Sequence, residues 1–330
     1  MEFRLIERLQ ALTAQARDDV RLGIGDDAAL LAVPAGQELA VAIDTLVEGV
    51  HFPAGTTPAD VGWKVLAVNL SDLAAMGATP AWALLALTLP AQPSAAQQAR
   101  VDGLAEGFAQ LARTHGVALV GGDTTRGPFA LSVAVHGFVP PGQALRRDGA
   151  RAGDLVFVTG TLGDAAAALQ RLAQAADPDE EKRRAWLRTR LNRPQPRVAA
   201  GLALRDRASA CIDISDGLLA DLGHLCSASA VGAELDAARL PLSSALLGCC
   251  EPITARDCAL SGGDDYELCF TVSPARAAEV QADLARLGCG ATRIGRIVAG
   301  TGVRVRGEDG QWLAPGRTGW DHFPDEAARP

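Results

Sequence analysis

The chain has 330 residues, of which 48% are hydrophobic and 21% are charged, and its formal net charge is −8. This length predicts two domains, since a domain usually spans about 100–200 residues. The negative charge disfavours nucleic acid or an anionic membrane surface as a partner. A phosphate ligand stays open, because bound metal ions reverse the sign of the charge at a site.

The seven cysteines all lie after residue 210, and none forms a C-x-x-C pair. This pattern disfavours a disulfide framework or a zinc site and predicts buried, reduced thiols in a cytoplasmic protein. Charged residues run through the opening MEFRLIERLQAL, which is unlike a signal peptide. No apolar run reaches about 18 residues, so we expect no membrane span.

Hydrophobic periodicity and turn residues predict the elements of the first half. In chain order they are a helix around Phe3, Ile6, Leu9 and Leu12, strands at 28–33 and 39–45, a helix at 59–76, a strand at 82–89, a helix at 95–115, and strands at 117–120 and 129–139. Pro140-Pro141-Gly142 and a polar, Gly-rich stretch at 146–153 then predict a domain boundary. The predicted domains are 1–145 and 146–330.

The second half again mixes strand and helix patterns. In chain order they are a strand at 155–159, a helix from about 163, a charged helix or loop at 177–184, a strand at 210–214, a helix at 217–229, a strand at 266–272, a helix at 274–287, and strands at 292–298 and 303–306. Both halves therefore predict mixed α/β domains, an α/β or α+β fold class.

Several carboxylates lie beside glycine or within apolar sequence. They are Asp26, Asp27, Asp44, Asp72, Asp123, Asp213, Asp216, Asp264 and Asp265. A turn or a helix cap explains any one of them. As a set without a matching group of His or Cys, they favour an all-oxygen cation site, and several Mg²⁺ ions bridging a polyphosphate fit that chemistry.

Asp72 is the clearest of these carboxylates. On the predicted helix 59–76 it shares the apolar face and lies one turn after Asn69. A carboxylate on a core face needs a partner, and we expect Lys64 to point elsewhere. The pattern therefore favours a metal ion over a capping or paired role.

Two further motifs leave alternatives open. In IDISDG, Asp216 either caps the next helix or joins Asp213 in the crevice at the carboxyl end of the strand. In GIGDDA, neighbouring side chains of an extended chain point to opposite faces. We expect Asp27 to bind metal and Asp26 to hold the turn.

Familiar nucleotide and hydrolase motifs are absent. The sequence contains no G-x-x-x-x-G-K-[ST], no kinase H-R-D or D-F-G set, no G-x-S-x-G and no G-x-G-x-x-G. The remaining interpretation is a Mg²⁺-dependent nucleotide site that is built from aspartates on a different fold.

Eight segments, in order along nearly the whole chain, resemble the thiamine-monophosphate kinase family of the aminoimidazole-ribonucleotide-synthetase-like superfamily. They are LGIGDDAALL, DTLVEGVHF, KVLAVNLSDLAAMGATP, LVGGDTTRGP, VTGTLGD, IDISDGL, SGGDDYELCF and GWDHF. The resemblance implies transfer of the ATP γ-phosphate to thiamine monophosphate, giving thiamine diphosphate and ADP. It also implies a homodimer in which the N-terminal sheets form the interface and the C-terminal domain closes over nucleotide and substrate.

The resemblance also implies roles for individual residues. The Mg²⁺ ligands would be Asp27, Asp44, Asp72, Asp123, Asp213 and Asp216, with the backbone of Ala42 and Ile43. The nucleotide contacts would be His115, Gly122, Asp123, Arg147 and Ser215. The thiamine monophosphate contacts would be His51, Asp264 and Trp320.

The sequence departs from the family at three points. Ala42-Ile43 stand where Ser or Thr is usual, so only backbone carbonyls are available there. His115 replaces a common Tyr, and Asp264 replaces a common Glu that is one methylene longer. We expect these changes to tune the activity and not to abolish it.

The implied reaction needs no general base, because a phosphate monoester has a second pKa of about 6 and is mostly a dianion at neutral pH. The obstacle is repulsion between two polyanions, which clustered Mg²⁺ offsets while aligning them for in-line transfer. Arg126, Arg146 and Arg147 are either phosphate contacts or surface charges. Two alternatives stay open: a non-catalytic Mg-nucleotide-binding regulatory protein, and a different ATP-dependent enzyme of the same superfamily.

Overall fold

The polypeptide divides into two units. The computed structural model describes residues 2–91, 94–171, 178–314 and 316–320. The first unit comprises Met1–Ala144 and Asn192–Leu202, and the second comprises Leu145–Leu191 and Ala203–Pro330.

The first unit contains a four-stranded mixed sheet. Its elements are α1 (Glu2–Thr13), β1 (Val20–Leu22), β2 (Leu30–Leu31), β3 (Glu38–Val47), α2 (Pro58–Ala75), β4 (Thr79–Leu89), α3 (Ser94–His115), β5 (Ala118–Arg126) and β6 (Ala130–Val139). The strand order is β3-β6-β4-β5, with β4 and β5 parallel and the other neighbours antiparallel. The short strands β1 and β2 pair separately.

Helix α2 packs on β3 and β6, and α3 packs on α2. Thr57 starts α2 by accepting the Asp60 amide, Pro58 occupies the first turn, and Gly77 follows the helix with φ of +62°. The alternate side chains of β3 point away from α2, and Val41 and Ile43 are 58% and 67% exposed there. The sheet therefore carries an apolar strip on its open face.

Asn192–Leu202 belongs to the first unit, although the sequence prediction assigned everything after residue 145 to the second domain. Arg193 forms an ion pair with Asp60 at the start of α2. The Trp63 indole donates a hydrogen bond to the Pro194 carbonyl at 2.8 Å. These contacts join residues far apart in sequence, and no local pattern indicates them.

The second unit contains a six-stranded mixed sheet. Its elements are β7 (Leu155–Thr159), α4 (Asp164–Arg171), α5 (Pro178–Asn192), α6 (Val198–Leu204, which begins in the first unit), β8 (Ala210–Asp213), α7 (Leu218–Ala228), β9 (Gly232–Asp236), a 3-10 turn (Ala237–Arg239), α8 (Ser244–Cys249), α9 (Pro252–Ser261), β10 (Leu268–Val272), α10 (Ala277–Arg286), β11 (Ala291–Val298) and β12 (Gly302–Arg306). The order is β12-β9-β11-β7-β10-β8, and only β12 and β9 are parallel. A core of Val156, Val158, Ile212, Leu222, Leu225 and Ile294 packs α7 and α9 on this sheet.

The predicted class of two mixed α/β domains is confirmed. The long periodic segments are helices and strands as expected, with β7 at the predicted residues. The predicted strand at 28–33 is reduced to Leu30–Leu31, and the strand predicted from Tyr266 begins at Leu268 because Tyr266 has φ of +51°. The elements α6, α8, α9, β1 and β9 lacked a clear pattern and were not predicted.

All seven cysteines are buried and none of them forms a disulfide, as predicted. Among the described residues, no helix combines the length and the apolar character that crossing a bilayer requires.

Candidate functional site

Asp26 and Asp27 lie in an exposed turn before β2. An oxygen of Asp26 accepts the Asp27 amide at 2.8 Å, which is the turn-holding role expected of Asp26. Because solvent surrounds both carboxylates, they need no cation to be tolerated when no ligand is bound. Asp27 presents its own carboxylate from this turn.

Asp44 and Asp72 are carried by β3 and α2, two elements that pack together. The buried Asn69 amide oxygen accepts the Asp44 amide at 3.0 Å, and Asp72 lies one helical turn after Asn69. The part of β3 that bears Asp44 and the part of α2 that bears Asp72 therefore lie on the same side of the sheet.

The prediction that Asp72 lies on a single core face of α2 was wrong. Helix α2 is buried on nearly all sides, so it has no single core face, and Asp72 itself is only half-buried. Lys64, expected to point elsewhere, is 2% exposed, and its ammonium group donates to the His51 carbonyl at 3.1 Å. Periodicity therefore does not establish that Asp72 requires a metal ion.

The backbone carbonyls of Ala42 and Ile43 point in opposite directions. The Asp44 amide points to Asn69 and away from β6, and in an antiparallel edge strand the backbone groups alternate in direction along the chain. The Ala42 carbonyl is therefore directed to the open edge of the sheet, whereas the Ile43 carbonyl is directed to β6. Only Ala42 has its carbonyl oriented for an outside ligand.

Asp123 lies on β5, at the opposite edge of the sheet from Asp44. The register aligns Asp44 with Val133, Val133 with Leu85, and Leu85 with Gly122. With about 4.8 Å between strands, Asp44 and Gly122 are roughly 14 Å apart. Two carboxylates at that separation cannot bind the same Mg²⁺ ion.

Gly122 is required by the approach of two strands. A Cβ at this position would lie 1.9 Å from the Leu85 carbonyl oxygen of β4. The register slips by one residue just before it, opposite Ala83 and Leu84. This bulge lets β5 continue to Arg126, beyond the predicted end at residue 120.

His51 and His115 are held in different ways. The Val47 amide donates to His51 Nδ1 at 3.0 Å, which leaves Nε2 to carry the proton of the neutral ring. His115 is the last residue of α3, and burial lowers the pKa of its imidazole below the ordinary 6.5. These surroundings favour the neutral form of both imidazoles.

In the second unit, Asp213 ends β8, and Ser215 and Asp216 follow in the turn before α7. Gly217, not Asp216, occupies the N-cap position, so the capping alternative for Asp216 is wrong. The turn amides of Ser215, Asp216 and Gly217 instead donate to one oxygen of Asp221 at 3.0, 3.1 and 3.1 Å.

Asp221 is a buried carboxylate, and burial together with the charges of Asp213 and Asp216 raises its pKa to about 7. Three carboxylates thus lie near one turn, where a cation would offset their repulsion. Sequence analysis missed Asp221, although a signal was present. It lies on the same helical face as Leu218, Leu222 and Leu225, where a carboxylate is unexpected.

Asp264 and Asp265 are adjacent and have different surroundings. Asp265 is 2% exposed, both of its oxygens accept the Gly163 amide at 2.9 and 3.0 Å, and burial raises its pKa well above the usual range. Asp264 has φ of +67°, and its carboxylate accepts the Tyr266 hydroxyl at 3.0 Å. Asp265 therefore supports the fold, whereas Asp264 is the less buried member of the pair.

Trp320 and Arg147 are exposed. The Trp320 amide donates to the Asp216 carbonyl at 2.9 Å, which ties this tryptophan to the turn at 215–217. The Arg147 carbonyl accepts the Ser229 hydroxyl at 2.6 Å, whereas Arg146 pairs with Asp148. The rest of GWDHF, residues 321–323, lies outside the described residues.

The predicted aspartates suit Mg²⁺ by donor chemistry, since all of them offer oxygen. Within the described ranges, however, no three His, Cys, Asp or Glu side chains are already grouped to hold a metal ion. A cavity of about 520 Å³ borders Ser261 and Gly262, next to Asp264 in sequence. Its size suits an organic ligand.

Comparison with known proteins identifies the family. Residues 25–139 match the AIR synthase related protein N-terminal domain, and residues 151–308 match the corresponding C-terminal domain. Thiamine-monophosphate kinase of Escherichia coli strain K12 is 47% identical over 98% of both chains.

Two solved structures are similar over nearly the whole chain. Thiamine-monophosphate kinase from Stenotrophomonas maltophilia K279a has a TM-score of 0.85 and 52% identity, covering 94% of this chain and 98% of the other. AaThiL complexed with AMPPCP and TMP has a TM-score of 0.75 and 33% identity, covering 98% and 97%. The chain belongs to the thiamine-monophosphate kinase family of AIR-synthase-related proteins.

Proposed function

We propose that the protein transfers the γ-phosphate of ATP to thiamine monophosphate, giving thiamine diphosphate and ADP. The observation that carries this proposal is the relative solved with AMPPCP and TMP, which this chain matches at 33% identity along 98% of its length. AMPPCP is an ATP analogue whose terminal phosphate cannot leave by the normal route. Together, the two ligands stand in for a donor nucleotide and a phosphate acceptor.

The chemistry requires Mg²⁺ more than it requires an acid or a base. The acceptor phosphate is already mostly a dianion at neutral pH, so no residue has to deprotonate it. Bound Mg²⁺ would neutralise and align the two phosphate groups. The residues proposed to hold it are Asp27, Asp44, Asp72, Asp123, Asp213 and Asp216, with the Ala42 carbonyl.

The proposal includes several Mg²⁺ ions. The separation of roughly 14 Å between Asp44 and the Gly122-Asp123 pair supports distinct ions at the two edges of the sheet. The Ile43 carbonyl, directed to β6, is a weaker candidate ligand than that of Ala42.

The remaining candidates would bind and orient the two substrates. His115, Gly122, Arg147 and Ser215 are proposed to contact the nucleotide, and His51, Asp264 and Trp320 the thiamine monophosphate. A tryptophan face attracts the cationic thiazolium ring, and the Asp264 carboxylate would balance its charge. With both phosphates fixed in line, transfer is direct, and no residue forms a covalent intermediate.

We also propose that the protein acts as a homodimer in the cytoplasm. The exposed apolar strip of Leu39, Val41 and Ile43 on β3 supports association through the sheet. Seven buried cysteines, none of them in a disulfide, suit a reducing compartment. Light scattering on the protein and on Val41→Glu tests the dimer, since a charge on this strip should give monomers.

The direct test mixes the protein with ATP, Mg²⁺ and thiamine monophosphate and measures ADP. We expect ADP in amounts equal to thiamine diphosphate, and none when thiamine monophosphate or Mg²⁺ is omitted. Binding of Mg-ATP without turnover would favour the regulatory alternative. ADP release that does not depend on thiamine monophosphate would favour a different enzyme of the superfamily.

A further inference from the structure

The turn Ile214–Gly217 contains three successive peptide groups, and a single carboxylate orients all three. The amides of Ser215, Asp216 and Gly217 converge on one oxygen of Asp221, which is 4% exposed. In a trans peptide the N–H of one residue is antiparallel to the C=O of the residue before it. Fixing these amides therefore fixes the opposite direction of the carbonyls of Ile214, Ser215 and Asp216.

Each of those carbonyls accepts a backbone amide from another segment. Ile214 accepts from Tyr266 at 2.8 Å, and Ser215 accepts from Asp264 at 2.8 Å. Asp216 accepts from Trp320 at 2.9 Å. Every peptide group that donates to Asp221 thus receives a hydrogen bond from a segment bearing a candidate substrate contact.

Two glycines show how close this approach is. A Cβ on Gly263, the residue before Asp264, would lie 2.5 Å from the Ser215 oxygen. A Cβ on Gly319, the residue before Trp320, would lie 2.9 Å from the Asp216 oxygen. The glycines of SGGDD and GWDHF therefore let each donor reach its carbonyl on the turn.

We propose that Asp221 is a positioning residue that aligns the nucleotide candidate Ser215 and the metal candidate Asp216 with the substrate candidates Asp264 and Trp320. It touches none of the reacting groups and acts through three peptide planes. Hydrogen bonds in such a chain polarise one another, so a change at Asp221 reaches both sets of residues. This inference rests on the proposed kinase function for its kinetic consequence only.

The first test measures amide hydrogen exchange and does not depend on activity. In Asp221→Asn the side chain keeps one acceptor oxygen but loses its charge. We expect the amides of Asp264, Tyr266 and Trp320, which Asp221 does not touch, to exchange about 10-fold faster, since local opening becomes easier. Unchanged exchange at these three amides would overturn the proposal.

The second test measures KM for both substrates in the same variant. We expect KM for thiamine monophosphate and KM for Mg-ATP to rise together, each by about 10-fold. A rise in only one KM, or in neither, would contradict the proposal that Asp221 aligns the residues for both substrates. If the unchanged protein makes no thiamine diphosphate, the proposed function fails, and the exchange result still decides whether Asp221 aligns the three segments.

Two further variants separate positioning from charge and from stability. Asp221→Glu keeps the charge but moves the oxygen by one methylene, so we expect it to be impaired like Asp221→Asn. Wild-type kinetics in Asp221→Glu would overturn the proposal. Asp236→Asn is the matched control, because Asp236 also accepts a backbone amide, from Ala238, and adjoins no candidate residue. It should lower stability without moving either KM.

Discussion

The two units hold their candidate residues by different means. In the first, Asp27, Asp44, Asp72 and Asp123 are carried by a turn, an edge strand, a helix and the opposite edge strand. In the second, the candidates other than Arg147 lie at the end of β8, in the turn that follows it, and on two segments bonded to the carbonyls of that turn. We infer that the first-unit side chains are positioned by separate elements, whereas most of the second-unit side chains are positioned through one turn.

The largest expected effect is a loss of activity on changing one first-unit aspartate. Asp72→Asn should lower phosphoryl transfer by about 1,000-fold, because a ligand to Mg²⁺ is lost, while the melting temperature stays unchanged. Near wild-type activity would contradict the metal role. Asp60→Asn, on the same helix, is the control. It breaks the ion pair with Arg193 and should cost stability but not activity.

Gly122 is the exception, a first-unit candidate that is also needed for packing. Gly122→Ala should lower the free energy of unfolding by about 3 kcal/mol, because its Cβ would overlap the Leu85 carbonyl of β4. In Gly121→Ala the Cβ would meet only the end of the Leu84 side chain, at 3.0 Å, so the cost should be below about 1 kcal/mol. Urea unfolding measures both, and equal costs would refute the strand contact.

Asp26 and Asp27 offer a comparison within one turn. Asp27→Asn should reduce activity by about 100-fold through loss of a metal ligand, and Asp26→Asn by less than about 10-fold, since its oxygen only holds the Asp27 amide. The Mg²⁺ concentration needed for half-maximal rate should rise mainly in Asp27→Asn. The reverse order would exchange the two roles.

In the first unit, Asp19 is a carboxylate that links distant segments through hydrogen bonds. It accepts from the Arg17 guanidinium at 2.6 and 2.8 Å and from the Trp82 indole at 3.0 Å. The hydrogen bonds from Arg17, then that from Trp82, lower its pKa below the ordinary 3.8. A lowered pKa stabilises the fold at neutral pH, and that stabilisation is lost as the pH falls through the lowered value.

Asp19→Asn should therefore reduce the free energy of unfolding by about 1–2 kcal/mol at neutral pH, with no change in either KM. The difference from the unchanged protein should shrink as the pH falls below 3.8. Urea unfolding across this range measures it. A difference that is constant with pH would show that the charge of Asp19 does not contribute.

Sequence patterns predicted the helices and strands that have a clear hydrophobic periodicity. They missed the features that depend on contacts between residues distant in sequence. The strands and helices with clear repeats were found, including β7 at Leu155–Thr159. The argument for Asp72 failed because α2 is buried on nearly all sides, so one apolar stripe carried no information. Tyr266 was wrongly predicted to lie in a strand. Its backbone is left-handed and its amide donates to the distant Ile214 carbonyl, a contact that no local pattern indicates.

Asp221 shows the same limit at the candidate site. The sequence motifs pointed to carboxylates beside glycine or within apolar sequence. They passed over the one that organises the turn, although its position on a buried helical face could have identified it. The signature of Asp221 is therefore a carboxylate at the helical spacing of buried leucines, and not a carboxylate beside glycine.

The stereochemistry of transfer tests the central proposal most directly. ATP made chiral at its γ-phosphorus would be incubated with thiamine monophosphate, Mg²⁺ and the protein, and the configuration of the transferred phosphoryl group would be determined. Direct in-line transfer predicts thiamine diphosphate with inverted configuration. Retention would reveal a covalent phosphoenzyme and contradict the direct mechanism, and absence of the label from thiamine diphosphate would contradict the proposed function.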